Sequence, residues 1–193
     1  MPVTPSTKLE AINSVLSAVG ESPITSLDYV ADSVSATIAS NIIDEVDRSF
    51  QTKGWSFNTD VDYVFTRDAL NNISVQSNAV RVDVKESAYP NIKVVLRGTK
   101  LYDAKNKTYI FGSNITGDLV SLLSFDLLPE PARNYIVVRS SRMFLIRTRP
   151  EEAQNKFNDA DEQLAFTNFL DYELITRFNS STIQANLRKL GVD

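Results

Sequence analysis

The side chains with the most chemical potential in this chain of 193 residues lie between positions 139 and 162. Glu151, Glu152, Asp159, Asp161 and Glu162 form a dense carboxylate run with Lys156 among them. Two carboxyl groups facing each other across a cleft at roughly 5–9 Å can cleave glycosidic bonds, one as acid and the other as base or nucleophile. These five fall along one predicted helix, an arrangement that a solvated helix face also produces. Hard cations such as Ca²⁺ or Mg²⁺ take carboxylate oxygens too, but no EF-hand loop is present, so we expect no metal and no cofactor. Just upstream, Arg139, Arg142 and Arg149 share one helical stripe. Such a stripe can pair with carboxylates of its own chain, with those of a neighbouring subunit, or with a phosphate path.

Composition limits any enzyme here to carboxylates, Lys, Tyr or Ser. The chain has no histidine and no cysteine. Ser-His-Asp triads, thiolate nucleophiles, disulfides and His- or Cys-based metal sites are therefore impossible. Gly112-Ser113-Asn114 with Gly117 reads as a turn and lacks the glycine and lysine pattern of a phosphate loop. The net charge is −4, from 20 cationic and 24 anionic side chains. That balance does not suit a clamp on nucleic acid; a mildly acidic wall would let phosphates slide past, as a conduit requires. Apolar residues make up 42% of the chain, enough for a core. No apolar run reaches the roughly 20 residues that span a bilayer. Met1-Pro2-Val3-Thr4-Pro5 lacks the basic and apolar regions of a signal peptide, so we expect synthesis and use in a cytoplasm or in a particle assembled there.

The elements that must position these groups follow from periodicity. Thr7 and Glu10 fit a capping box, and Leu9, Ile12, Leu16 and Val19 lie on one helical face before Gly20 and Pro23. This predicts a helix over about 8–19. Asp32 or Ser33 can cap a second helix over about 32–53, with Val34, Ile38, Ile42, Val46 and Phe50 recurring every fourth residue until Gly54. Beyond Gly54 the period becomes that of strands. Trp55, Phe57, Val61, Tyr63 and Phe65 alternate with polar residues, as do Val80, Val82 and Val84. Ile92–Arg97 reads as another strand, Lys100–Asp103 and Thr108–Phe111 as a hairpin across Lys105-Asn106-Lys107, and Leu119–Phe125 as a last strand, with a helical turn as the alternative.

A third helix opens at Leu128-Pro129-Glu130-Pro131, with proline tolerated in the first turn. It is apolar nearly all round. Ala132, Ile136, Val137, Met143 and Phe144 form one face; Tyr135, Val138, Leu145 and Ile146 form the other, among the arginines. A helix apolar on both sides is buried on both sides, which points to a central helix or an oligomer contact. A fourth helix is expected over about 150–178, with Phe166, Phe169, Leu170, Leu174 and Phe178 in one stripe. Asn179-Ser180-Ser181-Thr182 reads as a linker to a short segment, Ile183–Leu190.

The expected fold class is therefore α+β. A bundle of about four helices, two N-terminal and two C-terminal with the last one long, carries a small antiparallel sheet inserted between them. Residues 1–54 and 127–193 would form the helical body, and 55–126 the inserted β subdomain.

Two blocks carry a resemblance. The first is Leu9-Glu10-Ala11-Ile12-Asn13-Ser14-Val15-Leu16, then Val19-Gly20-Glu21-Ser22-Pro23-Ile24, then a second helix closed by Lys53-Gly54-Trp55-Ser56-Phe57-Asn58. The second is Leu128-Pro129-Glu130, Arg133, Tyr135-Ile136-Val137, then Ser140-Ser141-Arg142 and Phe144. In this order and spacing they resemble the tail tubular protein A family of T7-like podophages. The resemblance implies a structural virion protein at the head–tail junction, assembled in the host cytoplasm. It implies a dodecameric ring of copies of itself, joined to the portal protein and to the nozzle protein, tail tubular protein B. It also implies tail fibres attached around that joint, and a lumen through which double-stranded DNA passes transiently. With the doubly apolar third helix, it makes Ile136, Arg139, Arg142, Met143 and Arg149 the expected interface residues. Trp55 and Phe57 are read as a core anchor in preference to a stacking platform. The other class to weigh is a tail-associated hydrolase of carbohydrate or peptidoglycan, with Glu151 and Glu152 as its carboxylate pair.

Overall fold

The computed structural model describes residues 6–150 and 159–189, with 179–189 described by backbone alone. It shows an α+β chain that divides into two compact units. One comprises Met1–Phe50 with Ser124–Asp193; the other is Gln51–Leu123.

The helical unit begins with α1, Lys8–Ala18. Its capping box forms as the sequence requires: the Thr7 amide donates to Glu10 Oε2 at 2.7 Å, and the Glu10 amide donates to Thr7 Oγ1 at 3.3 Å. The Thr7 amide, together with the Thr7 hydroxyl donating to the same oxygen, holds the Glu10 carboxyl below the usual carboxylate range. The helix stops because Gly20 takes φ +76°, letting the Gly20 amide reach the Ser17 carbonyl and the Glu21 amide the Leu16 carbonyl. Ile12, Val15 and Leu16 turn inward and are fully buried.

A 3₁₀ turn, Leu27–Asp32, precedes α2, Val34–Gln51. The expected stripe holds only in part. Ile42, Val46 and Phe50 are buried, but Val34 is exposed and Ala36 and Ala39 take the inner positions in the first turns. Steps of four residues advance about 40° on a 3.6-residue turn, so a run of them winds off one face. Helix α3, Glu130–Thr148, follows Pro129 and a 3₁₀ turn at Phe125–Leu127. Arg133 ties this region together from a buried position. Its guanidinium donates to the carbonyls of Leu128 (2.7 Å), Ser6 (2.6 Å) and Asp126 (2.7 Å).

The last helix, α4, runs Asp159–Lys189, so it continues through the expected linker at 179–182. Asn, Ser and Thr are weak helix formers but not breakers, and no Gly or Pro interrupts the segment before Gly191. At 31 residues the helix is about 46 Å long.

The β unit holds β1 (Thr59–Phe65), β2 (Ala79–Asp83), β3 (Val94–Arg97), β4 (Lys100–Asp103) and β5 (Ile115–Ser121). Among the described residues it forms two antiparallel sheets, one ordered β1-β5-β2 and the other the β3–β4 hairpin. Phe65, Ile73, Leu101, Phe111, Ile115 and Leu119 make its core. Three strand expectations need correction. Trp55 and Phe57 belong to a 3₁₀ turn, Ser56–Asn58 with Trp55 as its N-cap, and the strand begins only at Thr59. The last strand ends at Ser121, and Phe125 is buried from a 3₁₀ turn instead. The hairpin turns at Gly98, with φ +61°, and not at Lys105-Asn106-Lys107. After Asp103 only Thr108 pairs back, because the Asp103 carboxylate captures the loop: it accepts from the amides of Lys93, Lys105 and Asn106 and from Asn106 Nδ2. Burial works against the charged form of Asp103, but these donors outweigh it and hold the carboxyl below its ordinary value.

The Gly-Trp-Ser-Phe-Asn stretch has a structural explanation within this unit. Gly54 sits at φ +77°, and a Cβ there would lie 2.6 Å from the Arg81 guanidinium and 3.0 Å from Val120. Buried Asn58 donates to the carbonyls of Gln51 (2.9 Å) and Ser121 (3.0 Å) and accepts from the Trp55 amide (2.8 Å). Gln51 completes the seam with bonds to the Leu123 carbonyl and amide.

Candidate assembly surfaces

The arginine stripe and the carboxylate run meet on the seam between α3 and α4. Arg142 Nη1 donates to Glu162 Oε2 at 2.8 Å; Arg139 occupies Glu162 Oε1, and Arg142 also pairs with Asp159. Partner residues fall in sequence while α3 residue numbers rise, so the two helices run antiparallel. Aromatic rings continue the seam: Tyr135 lies 5.1 Å from Phe166 and 5.1 Å from Phe50, and Phe50 lies 4.8 Å from Phe169 between centroids. Burial pushes the Tyr135 phenol above its ordinary range, with the Arg139 charge opposing and Glu162 adding to the effect. A recess of about 290 Å³ opens beside Tyr135, Arg142, Asp159, Glu162 and Phe166. Both oxygens of Glu162 accept from guanidinium donors. Asp161 points to solvent, while Glu151 and Glu152 lie outside the described residues.

The other expected interface residues have definite places. Arg149 donates to the Val19 carbonyl at 2.8 Å and to Glu21 Oε1 at 3.0 Å. Ile136 is fully buried in the core of the helical unit, and Met143 is half-buried. Arg147, outside the expected set, grips Glu45 with two bonds of 2.7 and 2.9 Å. That contact raises the Arg147 pKa and lowers that of Glu45.

Exposed apolar area is concentrated on α4. Leu164, Leu174, Ile175 and Phe178 are each at least 60% exposed, whereas Ala165, Phe169 and Glu173 are buried. At 100° per residue the exposed four span about 100° of the helix, opposite the buried three. The single stripe expected through Phe169, Leu174 and Phe178 is thus two faces. α3 is buried on both of its expected faces, through Ala132, Ile136 and Phe144 on one and Tyr135 and Leu145 on the other, and α4 adds a second, exposed apolar face.

Two further surfaces escaped the residue-by-residue reading. In the 3₁₀ turn and the start of α2, Leu27, Tyr29 and Val34 are exposed, as are Asp28 and Asp32, and no cation of the described residues lies within ion-pairing distance of either carboxylate. In the β unit, residues 84–114 carry six cations and two carboxylates in a chain that is acidic overall. The signal was present as a local charge excess, but overall net charge concealed it.

Among the described residues no group of three or more potential metal ligands occurs, and no helix is long and apolar enough to cross a membrane. Among curated proteins, none matches the chain. A family model described as tail tubular protein matches residues 9–178, which includes both helical blocks and the whole β unit. The chain belongs to the tail tubular protein family and is a structural component of a bacteriophage tail.

Proposed function

We propose that the protein is the adaptor subunit between portal and tail nozzle, assembling as a dodecameric ring that lines part of the DNA ejection channel. The observation that carries this reading is the α4 face of Leu164, Leu174, Ile175 and Phe178, which the helical unit leaves exposed while α4 is anchored from behind. Apolar area of this kind marks an association surface. A ring built head to tail needs two different matching faces on each subunit. The helical body would form the ring. Arg139, Arg142 and Met143 would border the contact, and Ile136 and Arg149 would hold α3 in position. Portal, tail tubular protein B, tail fibres and passing double-stranded DNA are the partners of this reading, with assembly in the host cytoplasm.

Light scattering of the purified protein, alone and mixed with its cognate portal, tests the proposal. A ring, or a portal complex that takes up about one copy per portal subunit, supports it. A monomer that ignores the portal overturns it.

A further inference from the structure

The β3–β4 hairpin has one face in the core and one in solvent. Pairing of Val94 with Asp103 and of Leu96 with Leu101 places these four on the inner face, where Leu101 is fully buried. Val95, Arg97, Lys100 and Tyr102 therefore point outward, and by the same alternation so does exposed Lys93. Arg97 stands directly across from Lys100, a like-charge pair that weakens a hairpin. No carboxylate of the described residues lies within ion-pairing distance of Lys93, Arg97, Lys100 or Lys107. A lone lysine on an outer strand serves to discourage stray strand pairing. A whole face of unneutralised cations exceeds that need and calls for an anionic partner.

The aromatic content of the face narrows the class of partner. The Arg97 guanidinium lies 3.6 Å from the Tyr102 ring centroid, and Tyr109 meets Tyr102 edge-on at 4.8 Å. These rings are already engaged with one another, so they offer no open platform for bases. Tyr109 and Ile110 are exposed beside the cations, an apolar border that a phosphate backbone would not reward. A protein surface that is acidic and apolar fits both properties. The chain itself carries one in the 27–34 segment, with Asp28, Asp32, Leu27, Tyr29 and Val34 all exposed.

We infer that the outer face of the hairpin in one copy docks on the 27–34 segment of another copy. This rests on the ring reading above and names a pair of surfaces for its subunit contact. The contact is heterologous, basic hairpin to acidic segment, so it propagates in one direction and can close a ring.

The test is a charge swap in the full chain, read as assembly on the cognate portal by light scattering. Lys93→Glu with Lys100→Glu should reduce assembly about tenfold or more, because like charges then face each other. Adding Asp28→Lys and Asp32→Lys to the same chain should restore it. Circular dichroism and thermal unfolding of each variant separate misfolding from lost docking, and all four positions are exposed. Unchanged assembly of the hairpin variant overturns the docking and leaves the ring reading intact. Lost assembly that the compensating pair does not restore rejects the 27–34 segment as the partner. Binding of duplex DNA that disappears in the hairpin variant while assembly persists reassigns the face to nucleic acid and overturns the proposal. Failure of the wild-type chain to assemble on the portal removes the ring reading itself.

Discussion

Helix α3 and the β3–β4 hairpin treat their positive charges in opposite ways. In the helical unit each arginine from 133 to 149 is spent inside the chain: Arg133 on carbonyls, Arg139 and Arg142 on Glu162, Arg147 on Glu45, Arg149 on Glu21 and Val19. In the β unit the hairpin cations face solvent without carboxylate partners, while its one buried acid in that region, Asp103, is saturated by amides. Charges of the first kind hold helices together. Charges of the second kind form no ion pair within the described residues, Arg97 resting only on the Tyr102 ring, and leave their charge to meet a partner. The contrast separates residues whose loss should unfold the protein from residues whose loss should only prevent its assembly.

The largest effects should come from the seam of the helical unit. Phe169→Ala removes a fully buried ring from the cluster with Phe50 and Phe166 and should lower stability by about 3–5 kcal/mol. Urea unfolding measures this, and a loss below about 1 kcal/mol would place Phe169 outside the core. Arg133→Met should be next, at about 2–3 kcal/mol, since three backbone carbonyls lose their donor together. Retention of wild-type stability in this variant would show that water replaces the guanidinium at no loss.

In the β unit, Asp103→Asn should cost about 1–2 kcal/mol by replacing one acceptor oxygen with a donor that faces other donors. Its pH signature is distinct. The folded pKa of Asp103 lies below the unfolded one, so its contribution is complete above the unfolded value and disappears as pH falls through the folded value. Urea midpoints measured at descending pH should converge for the two proteins; parallel curves would assign the carboxylate no charged role.

Glu162→Gln weakens two ion pairs that are partly open to solvent, so about 1 kcal/mol is expected, shrinking in high salt. The smallest effect should follow from Lys93→Gln with Lys100→Gln, within about 0.5 kcal/mol of wild type. A clear stability loss in that pair would erase the distinction between α3 and the hairpin.

Legibility in the sequence tracked the range of the interaction. The capping box at Thr7, the glycine stop at Gly20 and the proline opening of α3 were all readable, since each depends on residues within a few positions. Tail-tubular character was readable as well, from the two helical blocks that the family match spans. The turn of the hairpin was misplaced because Asp103 draws its loop together through a carboxylate, which no strand pattern reveals. The continuation of α4 past Phe178 was missed because polar residues of modest propensity imitate a linker when nothing breaks the helix.

The sequence by itself determined the class of chemistry and the local grammar. Without histidine or cysteine no Ser-His-Asp triad and no thiolate site can exist, and caps, glycines and prolines set where helices begin and stop. Tertiary structure decided which charges are consumed and which remain. Arg139 and Lys100 are equally cationic as letters, yet one lies against Glu162 on a neighbouring helix and the other on the solvent face of a hairpin. That difference depends on packing between segments far apart in the chain, where partners at hydrogen-bond distance are chosen by the fold and not by spacing along the sequence.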